Sequence, residues 1–169
     1  MSYHGDLLQQ AWQLARREPR RPRQASLRRA VSAAYYSVFH LLVDEGSRFL
    51  VAGTNRERLR LCVSRGFVHR DMKDVAGQFS QNRAPAKIAS ALAGVVLPPE
   101  LVRVAGAFVD LQQARHEADY DLSRPFNRQE VLDLVDQAQR AHDDWAVVRR
   151  SLPAEAFLIA LFALRQIKS

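Results

Sequence analysis

Apolar residues recur at spacings of three and four through almost the whole chain, and this rhythm leaves few folds open. Leu27, Val31, Ala34, Val38, Leu41 and Leu42 form one stripe. Val131, Leu134, Val135, Ala138, Ala141, Trp145 and Val148 form another. A helix of 3.6 residues per turn puts such positions on one face. No alternation of apolar and polar residues lasts long enough for a strand. The chain therefore reads as all-α, an up-and-down bundle of four to five helices with a further C-terminal helix.

Glycine, proline and capping residues set the expected boundaries. A first helix runs from about Asp6 to Arg17, and Pro19 and Pro22 part it from the second. The second covers about Arg23 to Glu45, with Gly46 as its stop. A third region covers about Asn55 to Gln78, capped by Thr54 or Asn55 and broken at Gly66. Residues 80–99 read as a loop, within which Ala86 to Leu92 has the composition of a helical turn. The fourth helix opens at Pro98-Pro99-Glu100 and ends near Tyr120. Asn127 and Glu130 have the spacing of a capping box for a fifth, about Arg128 to Arg150. Pro153 opens the last helix, apolar around nearly its whole circumference. Such a helix must be buried or meet a partner, so an oligomer interface is expected there.

The chain has 169 residues, 47% hydrophobic, enough for one ordinary domain with a substantial core. Its single cysteine, Cys62, excludes an intramolecular disulfide and suggests a cytoplasmic setting. No apolar run approaches membrane-spanning length, so no membrane partner is expected. The formal charge is +7, much of it near the start, where seven arginines in residues 1–30 face only Asp6 and Glu18. Arg16, Arg17, Arg20, Arg21 and Arg23 are either a basic interhelix loop or a surface for an anionic partner.

Two lines of residues carry candidate chemistry. The stripe Leu101, Val104, Ala105, Phe108, Leu111 and Gln112 runs on to Arg115 and Asp119. A guanidinium and a carboxylate on a core-facing stripe either pair structurally or line a polar cleft. On the second helix, Arg29, Tyr36 and His40 share a line. Tyr36 and His40 either pack on neighbouring helices or form a ligand wall or dimer surface. No glycine-rich phosphate loop and no zinc-type cysteine pair is present, and the His–Asp pairs lack a third metal ligand. No metal or cofactor is expected. Arginine, histidine and tyrosine suit work on phosphodiesters: arginine grips phosphate and histidine moves a proton near neutral pH.

Leu27-Arg-Arg-Ala-Val-Ser-Ala-Ala-Tyr35-Tyr36-Ser-Val-Phe39-His40 resembles the long second helix of the HEPN-domain family, with its paired tyrosines. Arg115-His-Glu-Ala-Asp119-Tyr120-Asp121 resembles the Arg-x-x-Ala-Asp-Tyr signature of one bacterial branch, and Phe67-Val-His69-Arg-Asp-Met-Lys its histidine-bearing third helix. The resemblance covers roughly residues 5–150. It implies a HEPN-like bundle over 1–152, with the helix of 153–169 packed on it or at a dimer interface. It also implies a homodimer and RNA or a nucleotide as ligand. The partner implied is a nucleotidyltransferase-type antitoxin of a toxin–antitoxin pair. Many members resemble metal-independent endoribonucleases with an Arg-x(4–6)-His motif. No histidine of this chain stands five to seven positions after an arginine, so that motif is not intact. The residues left for proton transfer and phosphate contact are Arg115, His116, His69 and Tyr120. Arg29, Tyr36, His40, Arg115 and Asp119 are the expected ligand-binding set. A non-catalytic protein-interaction module is the alternative.

Overall fold

The computed structural model describes residues 2–167, and these are helical and loop only. Eight helices follow in order: α1 (Tyr3–Arg16), α2 (Gln24–Leu50), α3 (Glu57–Ser64), α4 (His69–Ser80), α5 (Ala86–Leu92), α6 (Pro99–Tyr120), α7 (Arg128–Val148) and α8 (Leu152–Ala163). The expected four to five helices plus one is thus too few. The third region divides at Gly66 into α3 and α4, and Ala86–Leu92 is a helix in its own right.

Two compact units divide the chain. One holds the residues up to His40 with Ala107–Asp143, and the other Leu41–Gly106 with the residues from Asp144 on. The first unit is built from α1, the leading part of α2, the trailing part of α6 and most of α7. Ala11, Ala15, Leu27, Val31, Ala34, Tyr35, Val38, Phe108, Leu111, Val131, Val135 and Ala138 fill its interior. The helical stripes of α2, α6 and α7 supply nine of these twelve.

In the second unit, α8 lies against α4 and α5. Phe157 meets Phe79 at 4.8 Å between ring centres, and Phe162 meets Phe67 at 5.2 Å. Phe157, Leu158 and Leu161 are fully buried, each worth about 1.5–3 kcal/mol of transfer free energy. Helices of the same unit thus cover much of the apolar surface of α8, while Ile159 and Phe162 stay half-buried and Leu152 is exposed.

Three terminus signals differ from expectation. Helix α2 runs through Gly46 to Leu50. A Cβ at Gly46 would stand 2.5 Å from the Phe67 ring, so glycine serves close packing there and does not stop the helix. The cap of α3 is Arg56, with no side-chain bond, while Asn55 takes a left-handed φ of 56°. At α7, the Asn127 side chain accepts the Glu130 amide at 2.9 Å. Glu130 turns to the Arg124 guanidinium instead of reaching back, so half of the capping box forms.

Candidate functional site

The polar end of the α6 stripe comes together as a clamp in the first unit. Leu101, Val104, Ala105, Phe108 and Leu111 are all buried, and the helix then presents Arg115 and Asp119, whose side chains are 24% and 27% exposed. Arg115 Nε stands 2.7 Å from Asp119 Oδ2, one turn on. That approach is an ion contact outside hydrogen-bond alignment. Arg115 Nη2 donates to the Tyr36 hydroxyl at 3.0 Å, and the Ser32 hydroxyl donates to Asp119 Oδ1 at 2.7 Å. Nη1 engages no partner among the described residues. The guanidinium is thus fixed on two sides, three-quarters withdrawn from water, with one nitrogen uncommitted.

Aromatic rings frame the clamp. The Arg115 guanidinium carbon lies 5.5 Å from the Tyr36 ring centre and 5.8 Å from that of Tyr120, within cation–π range. The Tyr120 ring lies 5.1 Å from that of His116, and both side chains are exposed. Tyr36 stacks on His40 at 6.1 Å, and Tyr3 of α1 meets the other side of this line, edge-on to His40 at 4.9 Å. The paired tyrosines of α2 divide the work. Tyr35 is fully buried against Phe39 and Phe108, and burial first, then neighbouring Tyr36, pushes its hydroxyl pKa well above the usual tyrosine range. Tyr36 is the one that reaches Arg115.

Of the expected site residues, Arg115, Asp119, Tyr36, His40, His116 and Tyr120 are neighbours in this cluster. Arg29 is exposed and takes no part in its bonds. His69 belongs to the second unit, exposed at the first residue of α4. Among the described residues no group of three His, Cys, Asp or Glu side chains is placed to hold a metal ion.

Sequence reasoning missed two residues. Ser32 lies on the Arg29–Tyr36–His40 line, four residues before Tyr36, and a hydroxyl there was the available signal. Arg28 has no such signal. Its Nη1 donates to the carbonyls of Ala118 at 2.8 Å, Asp121 at 3.0 Å and Glu117 at 3.4 Å, and Nη2 donates to Arg124 O at 2.6 Å. Ala118 O is one of the last carbonyls of α6, left over by the helix's own bonds, while Glu117 O also accepts the Asp121 amide at 3.0 Å; a cation suits the negative end of the helix dipole. Arg28 therefore fixes the end of the helix that carries Arg115, Asp119 and Tyr120.

The Arg16–Arg23 stretch is held at one point. The Glu18 carboxylate accepts from the Ser26 hydroxyl at 2.9 Å and from the Arg23 amide at 3.4 Å. Arg128 donates to the carbonyls of Glu18 and Pro19. Desolvation raises the Glu18 pKa, but the Ser26 and Arg23 hydrogen bonds and the charges of Arg23 and Arg17 outweigh it, for a net lowering. Arg17, Arg20, Arg21 and Arg23 are exposed. No helix of the described residues is long and apolar enough to cross a membrane. No protein-family model, curated protein or solved structure matches the chain.

Proposed function

We propose that this chain is a HEPN-like protein that binds RNA or a nucleotide, with Arg115 as its phosphate contact. One observation carries the reading: the Arg115 guanidinium is clamped by Asp119 and Tyr36 between aromatic rings, with Nη1 uncommitted. A guanidinium fixed in this way loses little side-chain entropy on meeting an anion, and partial burial strengthens the contact. Asp119 offsets part of the positive charge, which favours a ligand that adds stacking to its phosphate. The rings of Tyr36 and Tyr120 suit a nucleobase or ribose.

The test is fluorescence polarisation with a labelled single-stranded RNA octamer and, in competition, AMP. Arg115→Ala should weaken binding roughly 10- to 100-fold, the scale of one charge-assisted phosphate contact, with the circular dichroism spectrum unchanged. Arg115→Lys should recover part of the loss. Unchanged affinity in Arg115→Ala would overturn the assignment.

His116, lying against Tyr120 beside Arg115, supports metal-independent endoribonuclease activity as a second reading. A histidine there would take the proton of a ribose 2′-hydroxyl, whose oxygen attacks phosphorus. The 5′-oxygen leaves as a hydroxyl, taking its proton from water, and a 2′,3′-cyclic phosphate remains. The altered spacing of arginine and histidine favours binding over cleavage. Cleavage of total RNA in the presence of chelator, lost in His116→Ala, would reverse that order. The same family reading carries a homodimer and a nucleotidyltransferase-type antitoxin. Light scattering of the purified protein tests the first, and co-purification with the product of an adjacent nucleotidyltransferase gene tests the second.

A further inference from the structure

A cleft of about 550 Å³ runs along α1, with Trp12 and Arg16 on one side, Gln9 and Gln13 beside them, and Gln139 of α7 completing the wall. Gln9, Trp12, Gln13 and Arg16 are three and four residues apart and so share one face. The Arg16 guanidinium lies 4.5 Å over the Trp12 ring. Together they put a cation over an aromatic ring in a part-open groove, a plate on which a further planar group can stack. The Gln139 amide nitrogen donates to Asp143 at 3.1 Å, while Gln9 and Gln13 are exposed. Each glutamine amide offers both a donor and an acceptor. The chain then leaves α1 through Arg17, Arg20 and Arg21, all exposed.

Stacking plate, amides and following positive charge are together what an unpaired nucleobase with its phosphate requires. Bases outside a duplex stack on aromatic rings or guanidinium planes and are read along their hydrogen-bonding edges. A second cleft, of about 570 Å³ on α7, provides the contrast. Its lining includes Glu130, Asp133 and Arg140 but no aromatic residue, so it offers a base no ring to stack on.

We propose that the Trp12–Arg16 cleft is a nucleobase subsite. An unpaired base lies on the indole–guanidinium plate, the glutamine amides meet its edge, and its phosphate turns toward the arginines that follow α1. This inference rests on the reading of the chain as an RNA- or nucleotide-binding protein, but it places a base-recognition site apart from the Arg115 clamp.

Tryptophan fluorescence gives a direct readout, because the only other tryptophan, Trp145, is buried. The titrants are AMP, UMP, an A8 and a U8 oligoribonucleotide, and a 16-base-pair RNA duplex. Saturable quenching by the mononucleotides or the single strands, absent in Trp12→Phe, is the expected result, and the duplex should leave emission unchanged. By polarisation, Trp12→Ala should weaken octamer binding roughly 5- to 100-fold, the range for one stacked base. Arg16→Ala, at an exposed position where folding is not at risk, should weaken it several-fold. Quenching by mononucleotides assigns a free nucleotide as ligand, and quenching by the octamers alone assigns a strand. Octamer binding that is lost in Arg115→Ala yet unchanged in Trp12→Ala and Arg16→Ala would overturn the subsite and leave the Arg115 reading standing. Absence of binding by every titrant to the unaltered protein would overturn both.

Discussion

At the scale of single residues, arginines in this protein serve geometry at least as much as charge. Arg28 satisfies four carbonyl groups around the end of α6. Arg28→Ala should lower stability by about 2–3 kcal/mol, the worth of the charge-assisted hydrogen bonds lost. Urea unfolding checks this, and Arg28→Lys should restore only part, because an ammonium cannot span the same fork of acceptors. His142 makes one contribution to the pH dependence of stability. Burial first, then the neighbouring charge of His4, lowers its pKa from 6.5 to about 4, against smaller opposing effects of the Ser37 backbone and Asp143. The rings of His4 and His142 lie 5.3 Å apart. Above pH 6.5 this group is neutral in both folded and unfolded chains and leaves stability unaltered. As pH falls from about 6.5 to 4 the unfolded chain takes up the proton and the folded one does not. Stability should therefore drop by up to about 3 kcal/mol over that window. Urea midpoints measured between pH 4 and 8 should show this slope, and His142→Gln should flatten it. The sequence made Arg115 legible because it stands on a core stripe. It could not show that Arg28, one residue before the expected Arg29, does the capping.

At the scale of elements, periodicity located the helices and termini were harder to read. The long stripes of α2, α6 and α7 fixed their cores, because burial of a helical face dominates helix stability in a protein. Gly46 illustrates the opposite case. In isolation it is a helix stop. Within the second unit its missing side chain makes room for Phe67, itself 5% exposed and held against Phe162. Gly46→Ala should gain about 1 kcal/mol of helix propensity and lose more to the clash, since an overfilled core costs about 1–3 kcal/mol. A net loss in thermal or urea stability is expected. In a Phe67→Leu background the same substitution should turn neutral or stabilising, a sign change that a double-mutant cycle detects. A merely local role for Gly46 would give the same effect in both backgrounds. The bounds of helix α3 are harder to read from sequence for a related reason. None of its residues is buried, so its sequence carries no core stripe to read.

At the scale of the molecule, charge and burial are distributed unequally. Four of the seven arginines in the first thirty residues, Arg17, Arg20, Arg21 and Arg23, lie in the loop between α1 and α2, anchored by Glu18 and Arg128. If RNA runs along that loop, its affinity should fall steeply with salt. Each arginine–phosphate contact on a single strand contributes a slope of about −0.7 in log affinity against log salt. Replacing Arg20 and Arg21 by Gln should therefore reduce the slope by about 1.4, read from polarisation titrations between 50 and 300 mM salt. An unaltered slope would remove the loop from the binding surface. The amino-acid sequence by itself determined that the chain is helical, which faces are apolar, and that Arg115 and Asp119 end a buried stripe. Those properties follow from local periodicity, which needs no knowledge of neighbours. Only the tertiary structure decided that Ser32 and Tyr36 would meet that pair, that Arg28 would close α6, that α8 would lie against α4 and α5, and that two units would form. Each of these depends on contacts between residues tens of positions apart, set by the complementary shapes of packed side chains, and a helical repeat carries no record of them.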